Sequence, residues 1–349
     1  MTDYNLNIVI DQEMNYEAPA WFNSTLQSRQ LLNNQVHFFA TRVIGHGAHC
    51  KQRSLQLMAF FLAKVFELVG HNGRRFAGKI SDRQLGRKED RRQAFEELCK
   101  EATFLKLLTD AKYNYSPRFC LFSQIYGIEP IIVMELMGPN LGHLVDNPEV
   151  LKMRDNSIAV AIRDMLFALN GMHELGFCVQ DVKLENFCVV RTEDDWSVHV
   201  KLVDFGMTVG FKWAELRECD FQTEEVKSNS AICGTLPYIP RAGYVDTLVA
   251  PLDDLESLFY QLMRIFGQKF KWFKKRYHES YRQKVKFWTT PSTTYQTDIV
   301  HSWFVLIRDS RRSSHVSYEL LILQLTQTIH RLDNNNKISS EIVPIKKLQ

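Results

Sequence analysis

Short apolar runs dominate the first third of the chain, and apolar residues at helical spacing dominate the remainder. Apolar density rises at Val36. Runs at 64–68, 75–80, 119–123 and 130–135 then predict strands, with His71-Asn72-Gly73 as a turn between the first two. Phe95, Leu98, Ala102, Leu105 and Leu108 fall three or four positions apart and predict a helix over 86–108. A stronger stripe, Ile158, Ile162, Met165, Leu166, Leu169 and Met172, predicts a helix over 157–175, capped at its end by Gly176. The methionines on that face read as core packing. Residues 187–190 and 198–203 predict paired strands joined by a polar stretch. Asp253-Asp254-Leu255-Glu256 opens another helix, with Leu258, Phe259, Leu262 and Phe266 on one face, and its first carboxylates suit the helix dipole. Residues 320–329 form a last amphipathic pattern. Residues 1–34 are polar, rich in Asn and Gln, and without a sustained period. They read as an extension, with Trp21 and Phe22 able to dock on the domain, and residues 333–349 read as a polar tail. No internal repeat is visible.

Composition changes this picture little. Hydrophobic residues at 45% and charged residues at 24% over 349 positions describe an ordinary globular protein, and a net charge of +3 points to neither nucleic acid nor membrane. Seven cysteines, an odd number with no C-x-x-C, read as reduced and mostly buried. Asp3, Asp11, Glu13 and Glu17 argue against a secretory signal, and the apolar window 55–69 is broken by Lys64 and Glu67. The expectation is an intracellular protein, cytoplasmic or nuclear, with no membrane partner. Residues 269–288 interleave basic and aromatic side chains, which reads as a solvated face over buried rings in preference to a nucleic-acid surface.

The chemistry concentrates between Gly176 and Gly206. Asp181, Lys183 and Asn186 share one short loop between apolar runs, and the second run leads directly into Asp204-Phe205-Gly206. A carboxylate can orient a hydroxyl, an amine can neutralise a phosphoryl oxygen, and an amide can join a later carboxylate on a metal. The competing reading is a polar surface loop followed by an unrelated turn. Agreement of four positions in type, spacing and context favours phosphoryl transfer.

Other stretches fit the same chemistry. In Val43-Ile44-Gly45-His46-Gly47, glycines after a strand-like run can bring backbone N–H groups close to phosphates, although Cys50 holds the position of a third glycine. Residues 51–63 then interrupt a pattern that resumes at Lys64. Lys79 stands inside an apolar strand and needs a partner. Glu101, beside the stripe of the first helix, can supply it, although it could equally be one solvated carboxylate among Glu96 and Glu97. Met134-Glu135-Leu136-Met137-Gly138 forms a connection whose backbone can hydrogen-bond an adenine.

Taken together, the chain resembles the eukaryotic protein kinases from about Val36 to Leu332. Within them it resembles the casein kinase 1 group, and most of all its tau-tubulin kinase branch. The narrower likeness rests on M-E-L-M-G-P-N-L at 134–141, G-T-L-P-Y at 234–238 and D-D-L-E-S-L-F-Y at 253–260, with K-E-A-T-F-L-K-L-L at 100–108 and G-F-C-V-Q-D-V-K-L-E-N-F at 176–187. The resemblance implies an α+β, bilobal fold with a small β-rich N-lobe over 35–134 and a larger α-helical C-lobe over 138–332. It implies a Ser/Thr protein kinase using ATP and Mg²⁺ on protein hydroxyls. Lys79 becomes the phosphate-binding lysine with Glu101 as its partner, and Ile44, Gly45 and Gly47 cover the phosphates. Met134 becomes the gatekeeper, with Glu135 and Met137 offering backbone groups to the nucleotide. Asp181 becomes the catalytic carboxylate, Lys183 the contact to the transferred phosphoryl group, and Asn186 with Asp204 the metal ligands. Asp254 would brace the catalytic loop.

The chain also departs from the pattern. The usual His-Arg before the catalytic aspartate is Val179-Gln180, the third glycine is missing, and Pro237 replaces an arginine that could contact phosphate. A pseudokinase serving as a nucleotide-binding or interaction scaffold is therefore the alternative. A nucleic-acid-binding protein built around 269–288 is a more distant one.

Overall fold

The computed structural model describes residues 6–11, 36–49, 61–70, 73–81, 88–125, 129–147, 155–191, 196–228, 232–268, 270–290 and 298–336. They fall into two compact units that divide between Met137 and Gly138.

The first unit is a β-barrel with one helix. Its strands are β1 (Leu6–Asp11), β2 (Val36–His49), β3 (Phe61–Gly70), β4 (Arg75–Ser81), β5 (Phe119–Ile125) and β6 (Glu129–Glu135), and between β4 and β5 runs α1 (Lys88–Asp110). The closed order is β1-β2-β3-β4-β6-β5, and every pairing is antiparallel. Leu68, Ile131 and Val133 form the core, with Phe66, Phe76, Ile80 and Leu121 packed on it. Gly78 makes this packing possible, because a Cβ there would sit 2.6 Å from Leu68 Cδ1. The helix ends where Lys112 turns left-handed at φ 55° and Tyr113 N–H donates back to Leu108 O.

Strand β1 lies inside the segment read as an extension. Leu6, Ile8, Val9 and Ile10 give a short, mostly β-branched run, but only six residues form the strand, too few to stand out in a polar stretch. Trp21 and Phe22 lie outside the described residues. Strand β3 begins at Phe61, so residues 61–63 of the apparent interruption pair with Gly47, Ala48 and His49; residues 50–60 lie outside the described residues.

The second unit is mainly helical. It contains α2 (Leu141–Asp146), α3 (Asp155–Glu174), β7 (Phe177–Cys178), β8 (Phe187–Arg191), β9 (Trp196–Leu202), β10 (Val209–Gly210), α4 (Arg241–Val245), α5 (Pro251–Ile265), α6 (Tyr277–Thr289), α7 (Asp298–Asp309) and α8 (Tyr318–Asn336). Strands β8 and β9 pair, as do β7 and β10. Met165, Leu166, Leu169 and Met172 of α3 are fully buried, and Gly176 closes that helix at φ 83°. Trp288 of α6 stacks on Phe304 of α7 with centroids 4.8 Å apart.

Some expectations need correction. Helix α8 continues to Asn336, into the segment read as a tail, while 337–349 lie outside the described residues. Of the described cysteines only Cys99 and Cys178 are buried, and Cys120 is exposed. In the basic stretch, Lys271, Lys274, Lys275 and Arg276 face water over the buried Trp272, but Lys284 is itself fully buried. No helix among the described residues is long and apolar enough to cross a membrane.

Candidate active site

In the first unit, strand alternation places the lysine. Gly78 and Ile80 of β4 face the core of Leu68, so Lys79 points to the opposite side of the strand. There its Nζ meets Glu101 Oε1 of α1 at 2.6 Å, with both side chains buried. An ion pair this dry is costly to break from one side, because the remaining charge is left desolvated. Met134 of β6 is buried, Glu135 N–H donates to Arg118 O at 2.9 Å, and Met137 is the last residue of this unit. Ile44, Gly45 and Gly47 lie within β2, where Gly45 pairs with Val65 and Gly47 with Ala63 after a register shift at Val43. Both glycines are thus in paired, extended backbone. Cys50 lies outside the described residues.

In the second unit, Asp181 is the centre. Lys183 Nζ donates to its Oδ2 at 2.6 Å. Thr235 donates to its Oδ1 twice, from the hydroxyl at 2.7 Å and from the backbone N–H at 2.9 Å. Lys183 Nζ also reaches Thr235 Oγ1 at 3.2 Å, and Asn186 Nδ2 donates to Asp181 O at 2.9 Å. The β8–β9 hairpin brings in the remaining carboxylate: Val203 N–H donates to Asn186 O, and Asp204 follows directly. Asp204 Oδ1 accepts from Gly206 N–H at 3.2 Å.

The loop is braced from behind. Asp254 Oδ2 accepts from Val179 N–H at 2.6 Å and Oδ1 from Gln180 N–H at 2.9 Å, which spans the two residues before Asp181. Gln261, two turns along α5, accepts from Leu184 N–H and donates to Val182 O. Gln180 takes a left-handed φ of 65° here. Gly234 sits against it at φ 101°, where a Cβ would approach Gln180 O to 3.1 Å. Asp253 is more than a dipole partner: it accepts from Ala250 N–H and pairs with the buried Arg312 at 2.8 Å.

Sequence reasoning missed Thr235, Gly234, His173, Gln261, Lys284 and Arg312 as contributors. Gly234 and Thr235 stood inside a recognised motif, but the motif did not state what they touch. Lys284 Nζ donates to Leu236 O and Ile239 O, beneath the rings of Tyr244, Tyr260 and Trp272. Burial pushes its pKa well below the usual lysine range, against a smaller opposing pull from Glu256.

No protein-family model matches the chain. Casein kinase I homolog 1 of Schizosaccharomyces pombe is 29% identical over 184 residues, which are 53% of this chain and 40% of that protein. The serine/threonine-protein kinase spe-6 of Caenorhabditis elegans is 26% identical over 151 residues, 43% of this chain and 38% of that protein. The chain thus spans well under half the length of these curated relatives. Among solved structures, that of vaccinia related kinase 3 aligns at a TM-score of 0.60 with 15% identity, covering 92% of this chain and 95% of that one. The fold is that of the protein kinases, and the sequence is similar to Ser/Thr kinases of the casein kinase 1 group.

Proposed function

We propose that the chain is a serine/threonine protein kinase that transfers the γ-phosphoryl group of ATP to protein hydroxyls. The observation that carries this reading is the Asp181 carboxylate, held at both oxygens by Lys183 and Thr235, with the N–H groups of the two residues before it held by Asp254. A carboxylate so oriented can accept a hydrogen bond from an attacking hydroxyl and steer it. Lys79, fixed by Glu101, would take the nucleotide phosphates, with the backbone of Ile44, Gly45 and Gly47 above them. Met134 would border the adenine, and Glu135 and Met137 would offer it backbone groups. Lys183 would move its ammonium from Asp181 toward the transferred group.

The donor set fits Mg²⁺. Asn186 and Asp204 supply hard oxygen atoms, and with Asn186 Nδ2 committed to Asp181 O, its Oδ1 is the atom for a metal. Bound there, Mg²⁺ would supply neutralisation of phosphate charge. The tau-tubulin kinase branch, an intracellular location and protein substrates belong to the same proposal.

A nucleotide-binding scaffold is the second reading, favoured by Cys50 at the position of a third glycine and by Val179-Gln180 before Asp181. Labelled ATP and a generic protein substrate separate the two. Transfer by the wild type is expected, and Asp181→Asn should leave ATP binding nearly intact while lowering turnover by orders of magnitude. ATP binding without transfer would favour the scaffold, and unchanged turnover in the variant would remove Asp181 from its role.

A further inference from the structure

We infer that Tyr318, the first residue of α8, is a positioning residue for the catalytic loop and acts through His173 and Asp254; this rests on the kinase reading above. His173 lies in the last turn of α3, Asp254 in the first turn of α5, and all three side chains are buried. Asp254 is an acceptor in each of its contacts, taking Val179 N–H, Gln180 N–H and, at 2.9 Å, His173 Nε2. The imidazole therefore carries a proton on Nε2, and in the neutral ring this leaves Nδ1 as an acceptor. The Tyr318 hydroxyl meets that Nδ1 and supplies the proton. The result is a directed chain of donors: tyrosine hydroxyl to imidazole, imidazole to carboxylate, with two amides of the catalytic loop on the same carboxylate.

The neighbouring carboxylate fixes the same segment of chain. Arg312, six residues before Tyr318, pairs with Asp253 at 2.8 Å and with Asp246 at 2.7 Å. Adjacent residues of α5 thus hold the approach to α8 and the loop that carries Asp181. Cys178 Sγ lies within 4.8 Å of the His173 and Asp254 ligand atoms, an arrangement that could suggest a metal. Both ring nitrogens and both carboxylate oxygens already have hydrogen-bond partners, so the cluster satisfies itself.

A phenylalanine at 318 would fill nearly the same volume but leave Nδ1 as a buried acceptor without this donor. His173 could then turn, and Asp254 would lose its orientation toward the loop. The test compares wild type and Tyr318→Phe by hydrogen exchange at the Val179 and Gln180 amides, together with kcat and the KM for ATP. Exchange about tenfold faster at those amides and kcat about tenfold lower are expected, with KM for ATP unchanged. Because Tyr318 acts through His173, the double variant with His173→Gln should be no worse than His173→Gln alone. Wild-type exchange and kcat alongside a lowered Tm, or strictly additive losses, would reduce Tyr318 to packing and overturn the inference. If the wild type transfers no phosphate, the kinase reading fails, and the exchange of the two amides still decides the relay.

Discussion

Thr235 holds one oxygen of Asp181 with two donors, its hydroxyl at 2.7 Å and its backbone N–H at 2.9 Å, across 54 positions of chain. The backbone bond would survive a change of side chain and the hydroxyl bond would not. Thr235→Val should therefore lower kcat by roughly tenfold through misorientation of Asp181, whereas Thr235→Ser should stay near wild type. Steady-state kinetics on the two variants decide it, and equal loss in both would remove the hydroxyl from the argument.

Mg-ATP should stabilise the protein. A ligand that binds only the folded state raises stability with the logarithm of its concentration over Kd, about 2.7 kcal/mol at a hundredfold excess. A Lys79→Met, Asp204→Ala double variant should lose that thermal shift. It should also melt lower without nucleotide, because Glu101 is left charged and buried, at a cost of about 3 kcal/mol or more. An undiminished shift in the variant would place the nucleotide elsewhere.

Phosphorylation of the segment after Asp204-Phe205-Gly206 should not be needed for activity. Gln180 stands where an arginine could pair with a phosphate, and a neutral amide forms no such charge-assisted contact. Phosphatase treatment should leave the rate unchanged; a lost rate would show that another cation performs the task.

Lys284 predicts a pH trend. Its folded pKa is depressed, so between that value and the unfolded value near 10.5 the unfolded chain binds the extra proton. Stability of the wild type relative to Lys284→Met should therefore rise with pH across that window. Denaturant melts at several pH values measure it. A difference that falls with rising pH would mean that the ammonium is favoured in the fold.

How much could be read beforehand depended on whether cause and effect lay close together in sequence. Strands β3 to β6, helices α1 and α3 and the β8–β9 hairpin showed as local periodicity, which the backbone geometry enforces. Asp181, Lys183 and Asn186 showed as a spacing within one loop. Thr235 and Arg312 did not, because each reaches a partner more than fifty positions away, and a polar residue before contact formation resembles any solvated one. Lys284 was hidden by composition: it is one lysine in a run whose other described lysines face water, and only tertiary packing turns it inward. Helix α8 was read as amphipathic from Leu320, yet Leu320 and Leu323 are exposed, and Leu321 and Leu325 form its buried side.

Strand β1 pairs with β2 along Leu6 to Ile10 and with β5 at Ile10 and Asp11. With both of those flanks occupied, the barrel presents no open edge among the described residues on which a foreign strand could add. A recombinant form begun at Val36 would strip that cover and leave the outer hydrogen-bonding groups of β2 and β5 unpaired. Such a fragment would be prone to edge-to-edge self-association, so the polar-looking leader is worth keeping in any expressed form of the domain.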